Sequence, residues 1–184
     1  MSGSDDKLQQ IGDRVGQQKD PANPPLHLWH PEFSGDIDIL IDAEGRWSHE
    51  GVAIARESLV RLFASILRRE DDGQYYLVTP VEKWRIKVEA LPLQIVDFDI
   101  ASLGTTDQQV WVTTNTGRRY LLGQRYPLYT PTNVPQAAGI PAVSLDNGLS
   151  ALFGRAAWYR LVEACQERAG ELGLHSDGVF FSVS

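Results

Sequence analysis

Apolar and polar positions along the chain fall into short runs of two periods, and the order of those runs repeats. Ile37, Ile39 and Ile41 alternate with Asp36, Asp38 and Asp42, the two-residue period of a half-buried strand. Asp42-Ala43-Glu44-Gly45 is a turn sequence, and Arg46-Trp47-Ser48-His49 is the predicted returning strand. A helix is predicted from about Arg56 to Arg69. Leu59, Phe63, Ile66 and Leu67 recur there at helical spacing, and Val60 and Leu62 widen the stripe. Asp71-Asp72-Gly73 ends it, and Tyr75-Tyr76-Leu77-Val78-Thr79 reads as a strand.

Four β-type runs follow: Trp84, Ile86 and Val88; Val96, Phe98 and Ile100; Val110 to Thr114; and Tyr120 to Leu122. The last two flank Asn115-Thr116-Gly117, a hairpin signal, and the set is expected to form consecutive antiparallel strands. Pro127 to Pro141 holds four prolines and reads as a long irregular loop, a kind of connection that is often functional. Then the first pattern returns. Ala142–Leu145 is a predicted strand, Asp146-Asn147-Gly148 a tight turn, and Leu149–Phe153 the returning strand. A helix is predicted from about Ala156 to Glu171, with Trp158, Leu161, Val162, Cys165 and Ala169 on one face. Asp177-Gly178 leads into a final strand, Val179-Phe180-Phe181-Ser182-Val183.

Landmarks recur in one order, which is a fold-level signal. Ile54-Ala55-Arg56 precedes the first helix and Phe153-Gly154-Arg155 the second. Leu62-Phe63 matches Leu161-Val162. Asp72-Gly73-Gln74-Tyr75-Tyr76-Leu77-Val78-Thr79 matches Asp177-Gly178-Val179-Phe180-Phe181-Ser182-Val183-Ser184. The expected fold class is α+β, a duplicated β-β-α-β unit in two domains. The expected limits are a flexible N-terminal segment at 1–25, an N-terminal α+β domain at 26–80 and a C-terminal domain at 81–184. Residues 1–25 are assigned as flexible, with a short helix around Lys7–Gln17 as the alternative, because Gln9, Gln10, Gln17, Gln18 and Pro21-Ala22-Asn23-Pro24-Pro25 offer little apolar surface to offset ordering.

Composition narrows the function classes. A net charge of −7 repels nucleic-acid backbones, so no nucleic-acid partner is expected. The single cysteine, Cys165, permits neither an internal disulfide nor a multi-cysteine zinc site. No apolar run approaches the roughly 20 residues needed to cross a membrane. The first residues lack the basic and apolar regions of a signal peptide, so a cytoplasmic location and no membrane partner are expected.

The run Thr79-Pro80-Val81-Glu82-Lys83-Trp84-Arg85-Ile86-Lys87-Val88-Glu89, with Trp47-Ser48-His49-Glu50-Gly51 and Leu59-Val60-Arg61-Leu62-Phe63 before it, resembles the bacterial domain-of-unknown-function family numbered 1285. The resemblance covers the chain from Asn23 onward. It implies a duplicated core whose C-terminal domain resembles a pleckstrin-homology-like barrel with one helix. It also implies a site at the domain interface for a nucleotide-like ligand and a role in signal transduction. It implies no particular reaction.

Candidate chemistry starts from the paired arginines. A cation at a helix N-terminus is disfavoured by about 0.3–1 kcal/mol, so Arg56 and Arg155 each call for an anion. That anion is a bound phosphate or carboxylate, or a protein acid such as Glu82, Glu89 or Asp97. Lys83 and Arg85 share a strand face with Lys87, which could hold an anionic ligand or serve as a solvated face that discourages edge pairing. Trp47 or Tyr159 could stack a base, and His49 completes the candidate ligand set. The spacing of His27 and His30, with His49, Asp36 and Asp38, raises a metal reading. A proline-rich non-helical segment fixes no coordination geometry, so no metal is assigned. There is no Gly-x-Ser-x-Gly elbow and no glycine-rich phosphate loop. The chain therefore reads as a non-enzymatic, sensor-like binding protein without a cofactor or assigned catalytic residues, holding a small anionic, nucleotide-like ligand in an interdomain cleft. The alternatives are an interaction module that docks a signalling partner through the C-terminal half and Pro127–Pro141, and a metal-dependent hydrolase built on His27, His30 and His49.

Overall fold

The computed structural model describes residues 3–183. Met1 and Ser2 of the assigned flexible segment, and Ser184 of the second repeat landmark, lie outside the described residues. The chain divides into two units. One takes residues up to Asp42 together with Arg46–Glu89, and the other takes Ala43–Gly45 together with residues from Ala90 onward.

In the first unit, Phe33–Ile41 (β1), Trp47–His49 (β2), Val52–Ala53 (β3), Leu67–Arg69 (β4), Tyr75–Val78 (β5) and Lys83–Val88 (β6) form one sheet in the order β3-β2-β1-β6-β5-β4. Every pairing is antiparallel except that of β1 with β6. The alternation read from the sequence holds along β1. Ile37, Ile39 and Ile41 are buried while Asp36 and Asp38 are exposed. The hairpin register sets Ile39 opposite His49 and Ile41 opposite Trp47, which places Trp47 and His49 on one inward face. Glu57–Ser65 (α2) buries Phe63 against that face, its ring stacked 6.3 Å from Trp47.

Three readings of this unit are corrected. The helix predicted to run to Arg69 ends at Ser65, and Leu67–Arg69 pairs instead with Tyr75–Leu77 across the Asp71-Asp72-Gly73 turn. Leu67 satisfies a helical stripe and a strand's inward face equally well. Its pairing with fully buried Leu77 decides between them. The polar lead-in assigned as flexible contains a helix, Gly3–Gly16 (α1), whose Leu8, Ile11 and Val15 are buried. These positions at i, i+3 and i+7 form a narrow apolar stripe. Gly12 lets α1 approach α2 closely, since a Cβ there would stand 3.2 Å from Leu59 Cδ1. The boundary drawn at 80/81 moves to 89/90, because β6 is hydrogen-bonded between β1 and β5. The run expected to begin a four-stranded antiparallel series therefore belongs to the first unit.

In the second unit, Leu93–Ala101 (β7), Gln109–Thr114 (β8), Arg119–Leu121 (β9), Leu128–Tyr129 (β10), Ala142–Ser144 (β11) and Ser150–Phe153 (β12) form a sheet in the order β10-β11-β12-β7-β8-β9. Here the parallel pair is β12 with β7. Arg155–Glu163 (α3) follows β12 and buries Ala157 and Leu161. Gln166–Arg168 (β13), Glu171–Ser176 (β14) and Val179–Ser182 (β15) form a separate antiparallel meander. The second predicted helix is thus also too long. Ala169 and Gly170 adopt positive φ (53° and 82°), which reverses the chain into a hairpin where the apolar stripe suggested continued helix. Cys165 lies just beyond α3, half-buried, its Sγ 3.3 Å from the Leu161 carbonyl. Burial pushes its thiol pKa up. The proline-rich loop is packed. Ala137 is fully buried with Leu91, Ala142 and Leu152, and Val134 and Ile140 close over them.

The structure is therefore a two-domain α+β fold in which the hairpin-helix-meander pattern occurs twice. No helix among the described residues is long and apolar enough to cross a membrane.

Candidate functional site

In the first unit the side chains of α1 meet the sheet and α2 at a row of polar positions. Asp5 Oδ1 lies 3.6 Å from His49 Nδ1, and Gln9 Oε1 accepts a 3.2 Å hydrogen bond from Arg56 Nη2. Asp5 and Gln9 are one helical turn apart and share a helix face. Lys7 places its ammonium 4.1 Å from the centre of the Trp84 ring, and Arg14 pairs with Glu82 at 2.5 Å. Leu8, Ile11 and Val15 seat the helix between these polar contacts.

Beneath them are buried nitrogens without partners. Among the described residues, Trp47 Nε1, His49 Nε2 and Trp84 Nε1 are shut from solvent and make no hydrogen bond. Trp47 is 4% exposed and His49 7%. An unmet buried donor or acceptor costs about 1–3 kcal/mol, so each of these three nitrogens calls for a partner. Indole N–H groups can only donate. With Nδ1 of His49 turned to a carboxylate, Nε2 accepts in the neutral ring and donates in the imidazolium. The set suits a ligand rich in oxygen acceptors.

The outer face of the same sheet is different. Lys83 Nζ pairs with Glu70 Oε2 at 2.9 Å, and Arg68 pairs with Glu70 Oε1 at 2.7 Å. Desolvation pushes the Glu70 carboxyl up, but the hydrogen bonds from Arg68 and Lys83 outweigh it and hold the group below its ordinary value. Arg85 grips both carboxylate oxygens of Asp36 (2.5 and 3.0 Å), which holds that acid low. Each of these two strand cations thus has a carboxylate partner from its own unit. An open groove of about 800 Å³ runs beside them, with Asp36 and Asp38 facing Arg85 and Lys87. Its charge is mixed.

The paired arginines sit at equivalent places. Arg56 is the N-cap of α2, and Arg155 is the first residue of α3 after the N-cap Gly154. Among the described residues neither pairs with Glu82 or Asp97. Glu82 is taken by Arg14 and Asp97 by Arg160, whose hydrogen bond lowers the Asp97 pKa. Arg155 is exposed and makes no hydrogen bond or ion pair among the described residues. Tyr159, one turn later on α3, is 62% exposed. In the second unit, a cavity of about 500 Å³ lies along the meander, bordered by Gln108, Gln166, Arg168, His175 and Phe180. None of the candidate residues lines it.

The histidines are not gathered. His30 Nε2 lies 3.0 Å from the His27 carbonyl oxygen, while His49 lies buried on β2. Among the described residues no group of three or more His, Cys, Asp or Glu side chains could hold a metal. Of the sequence-derived candidates, the structure places Trp47, His49, Arg56, Lys83 and Arg85 in one unit and brings His49 and Arg56 against α1. Sequence reasoning missed Trp84 as a donor, and missed Asp5, Lys7 and Gln9 altogether. The one signal for the last three was the Leu8, Ile11 and Val15 spacing, hidden in a polar stretch.

Comparison with known proteins gives consistent results. Residues 24–91 match the model described as Domain of unknown function (DUF1285), N-terminal domain, and residues 92–183 match the model described as Protein of unknown function (DUF1285), C-terminal domain. A crystal structure of a DUF1285 family protein from Silicibacter pomeroyi DSS-3 is similar over 90% of this chain and 88% of that one, with 40% identity and a TM-score of 0.80. A DUF1285 family protein from Shewanella baltica OS155 is similar over 68% of this chain and 91% of that one, with 32% identity and a TM-score of 0.54. No curated protein matches. Helix α1 precedes the segment that matches the N-terminal model.

Proposed function

We propose a ligand-binding role for this chain, which belongs to the DUF1285 family: its N-terminal unit holds a small anionic ligand, nucleotide-like in its oxygen acceptors. The observation that carries the reading is the set of unpartnered buried nitrogens on Trp47, His49 and Trp84. The Trp47 and Trp84 N–H groups and a ring N–H of His49 would donate to ligand oxygens, with the Arg56 guanidinium adding charge at the rim. The half-buried Trp84 ring would give a base a stacking surface. Lys83 and Arg85 stay with their acids and take no part. Arg155 and Tyr159 lie in the other unit and form no part of this site.

The finer readings belong to the same proposal. A pleckstrin-homology-like C-terminal unit is supported by the antiparallel β7-β8-β9 run and the single helix α3. A signalling role in the cytoplasm of a bacterium, with a protein partner that reads the bound state, would follow from a sensor of this kind.

The test is a thermal-shift and isotope-resolved NMR panel of orthophosphate, pyrophosphate, AMP and ADP. A member that binds raises Tm and moves the indole N–H resonances of Trp47 and Trp84, and His49→Phe removes both effects. Stabilisation follows RT ln(1 + [L]/Kd), about 2.7 kcal/mol at a hundredfold excess over Kd. No shift from any member, in the wild-type chain and in Asp5→Ala alike, would overturn the reading.

A further inference from the structure

We infer that the first turn of α1 is a built-in competitor for this site, its Asp5 carboxylate standing where an anionic group of the ligand would bind. The inference rests on the binding reading above. Asp5 Oδ1 faces the buried His49 at 3.6 Å, and Gln9 Oε1 accepts from Arg56 at 3.2 Å. Helix α1 thus presents two oxygen acceptors one turn apart to a histidine and an arginine. Side chains at this spacing have Cβ atoms about 5–6 Å apart. A ligand that replaces them carries two acceptor groups at similar separation, at least one of them anionic. A diphosphate meets that description.

The geometry also says how the competitor would leave. Leu8, Ile11 and Val15 are buried, but Gly3, Asp5 and Asp6 in the first turn are exposed. The first turn therefore has little apolar contact to hold it, while the rest of α1 is anchored. Terminal turns of this kind open at low cost. Asp5 can fray away from His49, and the exposed Gln9 side chain can swing aside, without α1 leaving the sheet. The Gln9–Arg56 bond that would break is exposed and contributes little, and the Asp5 partner of His49 is itself exposed. The opening uncovers His49 Nδ1, the atom that Asp5 faces. Helix α1 lies outside the segment that matches the family model.

The experiment titrates inorganic pyrophosphate and ADP into the full chain by calorimetry. The proteins are wild type, Asp5→Ala, Gln9→Ala and Asp6→Ala. Asp6 is exposed beside Asp5 and removes the same charge without touching His49. Asp5→Ala is expected to bind at least about fivefold more tightly than wild type, the lower end of ordinary coupling between sites. Gln9→Ala should show a smaller gain, and Asp6→Ala no gain. Amide exchange over residues 5–9 should rise when ligand is added to the wild-type chain. Equal binding by wild type and Asp5→Ala overturns the competitor while leaving the binding reading intact. An equal gain from Asp6→Ala also overturns it, because the effect would then be general charge. No binding in any protein overturns both.

Discussion

The two copies of the hairpin-helix-meander pattern end differently. In the first, the meander's last strand, β6, turns back beside β1 in parallel, and one six-stranded sheet results. In the second, β15 stops at β14, the meander remains a sheet of its own that touches the larger one through Ser176 and the Asp177 N–H, and the hairpin strand β12 takes its parallel partner from β7. The first copy buries Leu67, Leu77, Val78 and Ile86 along its meander and fixes the outer face with the Arg68–Glu70–Lys83 cluster. The opening strand of the second, Gln166-Glu167-Arg168, is exposed throughout. The same local pattern thus yields two different closures. The first copy also carries α1 over its inward face, and that is where the unpartnered nitrogens lie.

The largest expected effect tests whether the inward face of the first copy depends on its helix. Phe63 is fully buried and stacks on Trp47, so Phe63→Ala should destabilise by about 3–5 kcal/mol in denaturant unfolding. A cost below 1 kcal/mol would show that α2 does not hold Trp47 in place. A smaller effect belongs to the second meander. At Gly173 an added Cβ would lie 2.3 Å from Phe180 Cζ and 2.5 Å from the Phe181 carbonyl oxygen. Gly173→Ala should therefore cost about 1–3 kcal/mol and raise amide exchange in β14 and β15. Unchanged exchange there would mean that the Phe180 ring does not depend on the glycine.

The smallest effect concerns acid. The Glu70 pKa is lowered in the folded chain, so its contribution is present above the ordinary glutamate value of about 4.3 and is lost as pH falls through the lower folded value. Because the cluster is partly exposed, Glu70→Gln should cost only about 1 kcal/mol at pH 7. The gap between variant and wild type should narrow as pH falls below the ordinary glutamate value and through the lower folded one. A gap that does not narrow with acid would assign the loss to packing rather than to the charge.

The strands with clear alternation, β1, β6 and β8, were legible because their buried positions follow a two-residue period whatever their partners are. The Asp42–Gly45, Asp71–Gly73 and Asp146–Gly148 turns were legible for a similar reason, since their residues favour chain reversal locally. The helix ends were not. Leu67 and Ala169 fit a helical stripe, and only pairing with β5 and the positive-φ turn into β14 turned those residues away from helix. At the candidate site, Trp47, His49 and Arg56 could be named from residue type and position. Trp84 read as core because periodicity reports burial and is blind to an indole nitrogen left without an acceptor.

The sequence by itself determined the repeated pattern, the awkward cations at both helix starts and the family. These depend on short-range periodicity and local electrostatics, which a linear string records directly. The tertiary structure alone decided that Lys83 and Arg85 are neutralised by Glu70 and Asp36, which lie 13 and 49 residues away in the chain. It alone set α1 over His49. Such pairings depend on which strands lie side by side and on which surfaces are left uncovered, and sheet order is a property of the whole unit.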